Sequence, residues 1–565
     1  MCEEKRGLVW RERAICNHCD YTSRMFVLYN EVDTGKCGRK SADINMMVHI
    51  GMTQTTISAT SLNKILLSAG LDAPSVPGLQ KTANKVNPII ENANQQDMKS
   101  RRKLIKKINL YKNKPENQVS GECDGVYNNS LYSGVGRTPF QPATQAVLSF
   151  AENETVVKQI LAIQTVNKLC SKHGFHSLSD EPCDNKSGQC TATASMETNI
   201  GDEQKWADMC FRDLLLDDLE IKYLTTDGDT KAFQAAAELH AKKLTKTVPE
   251  HLFDTRHLSE NHRKQLKNSQ NVLNMMPART KIARSALRNK FANDISKRCH
   301  AEFNRVHKQE KGNFKRLSRR INKCIFAIKS CYTGNHRQCK SLSTVCNGEK
   351  NDNWIYKSPF LPNLFKIDLS SHQENEATLI ECIEYRLSDD TLRKTKLNTN
   401  SQKVEATNRC IKRSLPKNCT FTRNFSGRAH SAIHSVNNGP GESVRKLCEA
   451  VGCPIPPNSK AARGLNAIQT ISENKKRREK TLAYKIKRKY RRIRIYALHE
   501  KHNETRNYIH GQLMKKFKVA QKIKKQNLTP EQSTSSQDHA YPRNPRNNQL
   551  VRQKRHGGSC CPMQD

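Results

Sequence analysis

Hydrophobic and polar residues form their most regular pattern between residues 115 and 265, where short apolar runs alternate with amphipathic stretches. The runs predict strands and the amphipathic stretches predict helices. The predicted strands are 118–124, 144–150, 156–166, 220–227 and 248–253, and the predicted helices are 202–217 and 230–246. The order is strand, strand, strand, helix, strand, helix, strand, which predicts an α/β domain with a mixed sheet flanked by helices.

Helical periodicity dominates the rest of the chain. Before the sheet region, residues 45–97 predict short helices, which fit either a helix-turn-helix module or an ordinary helical domain. After it, residues 275–345 are basic and helical, with an apolar residue at every fourth position from Leu287 to Phe303. Residues 377–413 return to helix, and a basic helix begins near residue 460.

Three strands followed by alternating helices and strands are the layout of the ribonuclease H-like fold. The sequence therefore predicts a catalytic domain of that class, interrupted by a large helical insertion and accompanied by small zinc-binding elements. The predicted segments are a partial zinc-knuckle-like segment at 1–44, a small helical domain at 45–112, the first part of the catalytic domain at 113–268, the helical insertion at 269–390, the return of the catalytic domain at 391–460, a basic helical DNA-binding region at 461–527 and a disordered tail at 528–565.

The net charge of the chain limits the possible classes of partner more than its length does. Among 565 residues, 96 Lys and Arg face 54 Asp and Glu, a formal net charge of +42. Such an excess indicates a polyanionic partner, and nucleic acid in the nucleus is the expected one. No run approaches the roughly 18 apolar residues of a membrane helix, and the N-terminus has no apolar signal region, so we expect neither membrane insertion nor secretion. The 21 cysteines then indicate metal binding or burial rather than disulfides.

Two acids end predicted strands of the sheet. Asp124 closes the first strand and Asp227 closes the fourth, and both precede a glycine, so each one singly would also fit a turn. Cleavage of a DNA phosphodiester with two Mg²⁺ ions requires carboxylates from separate elements. Glu405 supplies a third one on a helix that Thr399 or Ser401 would cap.

At these acids the chain resembles the Mutator-like DNA transposases, which belong to the ribonuclease H-like DDE superfamily. Four blocks carry the resemblance: residues 123–129 (Cys-Asp-Gly-Val-Tyr-Asn-Asn), 223–229 (Tyr-Leu-Thr-Thr-Asp-Gly-Asp), 254–261 (Asp-Thr-Arg-His-Leu-Ser-Glu-Asn) and 398–408 (Asn-Thr-Asn-Ser-Gln-Lys-Val-Glu-Ala-Thr-Asn). The third block matches the family's signature of Cys or Asp, two residues, then His. The similarity extends from about residue 15 to about residue 500.

The resemblance implies an enzyme that cleaves DNA at transposon ends and transfers the strands to target DNA. It makes Asp124, Asp227 and Glu405 the ligands of two Mg²⁺ or Mn²⁺ ions, and Asp254, His257, Asn261 and Asn408 neighbours that contact DNA or order the fold. It implies duplex DNA as the partner, at terminal repeats and at the target, and a homo-oligomer on that DNA. Family members usually carry more sequence upstream of the position of Cys16, so the alternative is an inactive or domesticated DNA-binding derivative.

Cysteine and histidine residues form three candidate zinc sets. Structural zinc takes four N or S ligands in a tetrahedron. The first set is Cys331, His336, Cys339 and Cys346. The second is Cys170, His173, Cys183 and Cys190, with His176 competing for the place of His173. The third is the pair Cys16 and Cys19, which Cys37 together with Cys2 or His18 would complete. For each set, incidental or buried thiols are the alternative.

The densest positive charge lies at residues 475–494, where Ile486, Tyr490, Ile493 and Tyr496 interleave with the cations at helical spacing. A solvated helix with a nuclear localisation signal is the simpler explanation. Mutual repulsion of these charges is relieved by phosphates, which favours DNA backbone binding. RNA binding is disfavoured because no stacking motif is present and aromatic residues make up only 6%. The predicted DNA-binding residues are Lys475, Lys476, Arg477, Arg478, Lys487, Arg488, Lys489, Arg491, Arg492 and Arg494.

Overall fold

A computed structural model describes most of the chain. The described residues are 2–33, 40–130, 143–177, 190–228, 230–310, 312–346, 367–369, 373–417, 419–499 and 501–502. The chain divides into two compact units, Met1–Glu473 and a second one from Asn474 onward. The finer division into seven segments stays a prediction, and the tail predicted to be disordered lies outside the described residues.

The N-terminal part combines small antiparallel sheets with three helices. Strands β1, β2 and β3 pair in that order, and β4 pairs with β5. The elements are β1 Cys2–Arg6, β2 Val9–Arg13, β3 Phe26–Val27, β4 Glu31–Val32, β5 Ser41–Ala42, α1 Asp43–Thr53, α2 Ala59–Ser68 and α3 Val76–Tyr111. Ser58 and Ser75 cap α2 and α3 by accepting backbone N–H groups, as short polar side chains do at helix starts.

A five-stranded sheet lies at the centre of the first unit. Its elements and the small hairpin beside it are β6 Gln118–Ser130, β7 Ala143–Glu152, β8 Ile160–Asn167, β9 Leu169–Cys170, β10 Gly174–Phe175, α4 Glu203–Leu215, β11 Glu220–Thr226, α5 Lys231–Ala241 and β12 Glu250–Phe253. The strand order is β12-β11-β6-β7-β8. β11 is parallel to both β6 and β12, whereas β7 is antiparallel to both of its neighbours. The predicted mixed α/β class is confirmed.

Helices make up the remainder of the described chain. They are α6 Thr255–Asn268, α7 Gln270–Asn274, α8 Lys281–Gln309, α9 Phe314–Tyr332, α10 Cys339–Leu342, α11 Gln373–Leu387, α12 Asp389–Lys394, α13 Gln402–Ser414, α14 Phe425–Asn438, α15 Pro440–Ala450 and α16 Lys460–Lys480, and residues 482–499 are helical as well. Among the described helices, none is long and apolar enough to cross a membrane.

Both faces of the central sheet are covered, which explains why every residue of β7 is buried. On one face, Trp206 and Phe211 of α4 and Leu239 of α5 pack on the sheet. On the other face, Val404 and Ile411 of α13 pack with α14. The insertion has its own core, built from α6 to α9 together with α11 and α12.

The structure adds detail to three predicted segments. The strand predicted to end at Asp124 continues to Ser130, because Gly125 stays extended and pairs with Leu148 of β7. The apolar repeat from Leu287 to Phe303 lies within one long helix, α8, as predicted, and the helical stretch 275–345 also contains α9 and α10. The helix expected at 377–413 is interrupted between α12 and α13. Local caps, in addition to periodicity, set where these helices begin: Thr280 caps α8 and Asn313 caps α9.

Candidate active site and cysteine-histidine clusters

The two predicted aspartates belong to neighbouring parallel strands: Asp124 lies within β6, and Asp227 directly follows β11. The register of β6 and β11 ends with Glu122 opposite Thr225, and its continuation by two positions would bring Asp124 opposite Asp227, whose charge acts on Asp124. Neighbouring strands lie about 4.8 Å apart, so the two side chains share one part of the sheet. Asp124 is half-buried within β6, and Asp227 is exposed immediately after the end of β11.

Glu405 comes to the same part of the fold from 281 residues beyond Asp124, on the first turn of α13. Asn408, three residues along the helix, donates its Nδ2–H to Oδ2 of Asp124 at 2.9 Å and to the carbonyl of Gly125 at 3.3 Å. Residues three apart on a helix share a face. The face that carries Glu405 therefore points toward Asp124.

His257 approaches the acids from the first turn of α6. Its Nε2 lies 2.9 Å from Oε1 of Glu405, and the amide of Gln402 donates to the same oxygen at 2.7 Å. Burial opposes the charged imidazole, but the bond to Glu405 and the charges of Asp254, Glu405 and Asp227 raise the pKa of His257 above its usual value. The ring thus lies in the field of several carboxylates.

Burial and the neighbouring acids shift the pKa of Asp124. Burial, followed by the negative charges of Glu203, Asp227 and Glu405, raises the pKa of Asp124 to about 7, although the Gly125 N–H opposes the shift. Groups with like charge at short distance cannot all ionise unless a cation balances them. Carboxylate oxygens are hard ligands of the kind that Mg²⁺ and Mn²⁺ prefer, so these residues fit a divalent cation.

Glu203 is an acid of this site that sequence reasoning missed. It lies on the first turn of α4 and accepts a hydrogen bond from the Tyr127 hydroxyl at 2.6 Å. A Cβ on Gly125 would lie 3.3 Å from Oε1 of Glu203. The signal in the sequence was an acidic pair, Asp202 and Glu203, at the start of the helix that follows three strands.

Asp254 orders the fold instead of facing solvent, since it is 1% exposed. Its Oδ1 accepts the backbone N–H groups of Arg256 and His257 at 2.6 and 3.0 Å, which caps α6. Its Oδ2 accepts the N–H and the hydroxyl of Ser401 at 2.7 and 2.8 Å. Asp254 therefore joins the helix that carries His257 to the start of the helix that carries Glu405.

The remaining predicted neighbour, Asn261, is exposed on α6. Its Nδ2 would lie 3.9 Å from a Cβ on Gly228, the residue after Asp227. Ligand atoms of Asp254, His257 and Glu405 all lie within 4.8 Å of one another. The predicted acid-site residues thus lie in one region of the fold, with Glu203 beside them, and their role as a catalytic set stays a prediction.

Cys331, His336, Cys339 and Cys346 form a compact cluster in the insertion. Nδ1 of His336 lies 3.6, 3.8 and 3.6 Å from the three sulfurs, and the sulfurs of Cys331 and Cys339 are 2.8 Å apart. Tetrahedral zinc, with bonds of about 2.3 Å to sulfur and 2.0–2.1 Å to nitrogen, places its ligands about 3.5–3.8 Å apart. The three cysteines are buried and pack with Ala327. The histidine separations match a zinc site, and the shortest sulfur pair would widen by about 1 Å.

A second cluster lies beside the β9–β10 hairpin. The sulfurs of Cys170 and Cys190 are 3.6 Å apart, and Nε2 of His176 lies 3.2 Å from Cys190. Nδ1 of the predicted ligand His173 lies 4.0 Å from Cys170, outside the group whose ligand atoms lie within 4.8 Å of one another, so His176 takes its place there. Burial opposes ionisation, but N–H donors of His173 and Lys172 and the Cys190 thiol lower the pKa of Cys170 to about 6. Cys183 lies outside the described residues.

The N-terminal pair is closely spaced but lacks a third partner among the residues that the structure describes. Cys16 is half-buried and Cys19 is exposed. The N–H of His18, then the Cys19 thiol, lower the pKa of Cys16. Cys37 lies outside the described residues, so a complete ligand set here stays a prediction.

The ten predicted DNA-binding cations of the second unit are all exposed on helix. Within the described part of that unit, none of them lies within ion-pair distance of a carboxylate; Arg478 stacks on Tyr484 at 5.7 Å. The interleaved apolar residues are exposed too, with Tyr490 at 70% and Tyr496 at 67%. This segment therefore presents positive charge that no carboxylate pairs with among the described residues of the second unit.

A model of the Mutator-like transposase family matches residues 1–346. The matched part contains Asp124, Asp227, Asp254, His257 and the Cys331–Cys346 cluster, and it ends before Glu405. No curated protein matches the chain. Because the match covers more than half of the 565 residues and includes the acids of the sheet, the chain belongs to the Mutator-like transposase family.

Proposed function

We propose that this chain is a DNA strand transferase with a ribonuclease H-like catalytic domain. The sheet order and the antiparallel second strand support that fold, as do acids on the first and fourth strands, β6 and β11. The observation that carries the proposal is the convergence of Asp124, Asp227 and Glu405. These residues come from three parts of the sequence: Asn408 bonds Asp124, His257 bonds Glu405, and the charge of Asp227 acts on both Asp124 and His257.

The proposed reaction has two phosphoryl-transfer steps. In the first step, water hydrolyses a phosphodiester at the transposon end and frees a 3′-hydroxyl. In the second, that hydroxyl attacks a phosphorus of target DNA, a new phosphodiester forms, and the 3′-oxygen of the target strand leaves. Divalent cations held by Asp124, Asp227 and Glu405 would activate the nucleophile and balance the charge on the leaving oxygen. His257 and Gln402 hold Glu405 in one orientation, and Asn408 does the same for Asp124. These contacts limit side-chain motion where positioning supplies much of the rate.

Duplex DNA in the nucleus is the proposed partner and place, and the net charge of +42 with the exposed cations at 475–494 supports both. The chain would act as a homo-oligomer that holds two transposon ends. An inactive DNA-binding derivative is the alternative, and the experiment below separates it from the enzyme.

The test measures nicking of a supercoiled plasmid and of duplex DNA carrying the terminal repeats, with Mg²⁺ or Mn²⁺. Asp124→Asn, Asp227→Asn and Glu405→Gln should each reduce nicking by more than about 10³-fold and leave DNA affinity within about twofold. Glu260→Gln is the matched control, because Glu260 is an exposed acid on α6 that pairs with Arg263. DNA binding without nicking by the unchanged chain would favour the inactive derivative; nicking that survives all three substitutions would contradict the proposed site.

We also propose that Cys331, His336, Cys339 and Cys346 hold a structural zinc ion. Four ligands close the tetrahedron, and neighbouring thiols raise the pKa of Cys339, an arrangement that a cation would relieve. Cys170, His176 and Cys190 form a less complete site. Metal analysis should give one tightly held zinc per chain that Cys346→Ser removes; a metal-free, fully folded chain would contradict the assignment.

A further inference from the structure

Glu122 is a fully buried carboxylate on β6, two residues before Asp124, and the proposed mechanism gives it no role. Residues two apart on a strand point to the same face. That face is the one covered by α13, since Val126, two positions beyond Asp124, packs with Val404 and Ile411. Glu122 therefore lies under the start of the helix that carries Glu405.

The contacts of Glu122 are those of a helix cap supplied from another element. Its Oε1 accepts the backbone N–H groups of Lys403 and Val404 at 2.8 and 3.0 Å. The first N–H groups of a helix have no partner within the helix, and a carboxylate there also interacts favourably with the helix dipole. Lys158 balances the charge, with its Nζ 3.2 Å from Oε2.

The residue expected to cap α13 is engaged elsewhere. Ser401 precedes the helix, but its hydroxyl donates to Asp254. The start of α13 is thus held at two points, by Glu122 from β6 and by Asp254 from the end of β12. Glu405 follows Val404 directly, so the cap lies one residue from the proposed metal ligand.

We propose that Glu122 is a positioning residue that fixes Glu405 and Asn408 against Asp124 by capping α13 from the catalytic strand. This inference rests on the proposed function for its effect on rate. The chain returns to the sheet at α13 only after the long insertion. The bonds from Glu122 attach the start of α13 to β6, and they thereby set the distance between Glu405 and Asp124. Glu122 itself has no free oxygen for a cation, because Oε1 takes two N–H groups and Oε2 takes Lys158.

The experiment uses the full chain with Glu122→Gln and Glu122→Ala. Gln keeps an acceptor for the two N–H groups but loses the charge, and Ala leaves both N–H groups buried without a partner. Glu154→Gln is the matched control, since Glu154 is another carboxylate of the sheet region that accepts one backbone N–H, from Ser120, and pairs with Lys114. It makes these contacts at the start of β6, away from α13.

Two readouts are needed. Nicking at saturating DNA should fall about 10-fold for Gln and about 100-fold for Ala, with DNA affinity unchanged and with more Mn²⁺ required for half-maximal rate. Amide hydrogen exchange in residues 402–408 should be faster in Glu122→Gln and faster still in Glu122→Ala. Glu154→Gln should leave the nicking rate and the exchange rate unchanged. Equal rates for Glu122→Gln and the control, or exchange unaltered at 402–408, would overturn the inference.

The exchange readout separates this inference from the proposed function. If Asp124→Asn still nicks DNA, the proposed site is wrong, yet exchange still reports whether Glu122 caps α13. If Glu122→Ala fails to fold, the unchanged chain decides: slow exchange of the Lys403 and Val404 amides supports the cap, and exchange as fast as in an uncapped helix start refutes it.

Discussion

The acid site on the sheet and the cysteine-histidine cluster of the insertion are built in opposite ways. The acid site takes Asp124, Asp227 and Glu405 from three distant elements and leaves Asp227 exposed. The cluster takes its four residues from sixteen consecutive positions, Cys331 to Cys346, and buries all three thiols. The first depends on tertiary packing, and the second on a local turn.

This difference predicts which substitutions affect the reaction rate and which affect the stability of the fold. Burial, followed by the neighbouring negative charges, raises the pKa of Asp124, so the fold has to hold these acids together. It does so with contacts around them, from Glu122, Asp254 and Asn408. The cluster instead brings together ligands that a metal would hold. We therefore expect substitutions at the acids to change rate and substitutions at the cysteines to change folding.

The largest expected effect on folding is at Cys339. Cys339→Ser should lower the free energy of unfolding by at least about 3 kcal/mol, because loss of one zinc ligand removes metal binding from folding. Cys382→Ala is the matched control, a buried cysteine of the same insertion outside the cluster, with an expected loss of about 1–2 kcal/mol. Chemical denaturation with and without a chelator measures both. Equal losses of unfolding free energy in the two variants would contradict the expectation that the cysteine-histidine cluster stabilises the fold.

The scaffold behind the acid site should weaken as pH falls. His430 of α14 is 4% exposed and bonds Asn94 of α3 at 3.0 Å, and burial lowers its pKa to about 4. The unfolded chain, with a histidine pKa near 6.5, takes up the proton first, so stability is complete above about pH 6.5 and falls toward pH 4. At pH 5 the loss is about 2 kcal/mol.

His430→Gln should remove that part of the pH dependence. Unfolding free energies at pH 7 and pH 5 measure it, with His240→Gln, a half-exposed histidine on α5, as the control. A pH dependence that stays the same in His430→Gln would show that the buried ring does not titrate on unfolding.

At the acid site, His257 should affect rate and leave folding almost unchanged. His257→Ala removes the donor 2.9 Å from Glu405, and we expect nicking to slow about 10–100-fold because the carboxylate loses its fixed orientation. His257→Gln, which can donate to Glu405, should recover part of the rate. Lys264→Ala, an exposed residue of the same helix, is the control. A rate unchanged by His257→Ala would mean that Gln402 is sufficient to orient Glu405.

The sequence predicted those parts of the molecule that depend on local pattern. Alternating strands and helices gave the α/β sheet, and an acid beside a strand identified Asp124 and Asp227. The sequence alone did not predict contacts between residues that lie far apart along the chain. The Glu122 carboxylate accepts the N–H of Lys403, which lies 281 positions away in the sequence. The charge of Glu203 acts on Asp124 only because α4 packs on the sheet. Likewise, His176 and His173 have the same chemistry, and only the β9–β10 hairpin distinguishes them.

The smallest expected effect lies outside both centres, on the exposed helix of the second unit. Arg491 and Arg492 have no carboxylate within ion-pair distance among the residues described there. Replacing both by Ala should weaken duplex DNA binding only several-fold, and should lower the slope of log K against log salt by about two, since each lost phosphate contact releases about one ion fewer. Titrations between 50 and 200 mM salt measure the slope, and Gln469→Ala in the first unit serves as an uncharged control. Because neither arginine lies in the acid site, the nicking rate at saturating DNA should not change. An unchanged slope would assign the DNA contacts to the first unit, whose own cations would then bring the duplex to the acids directly.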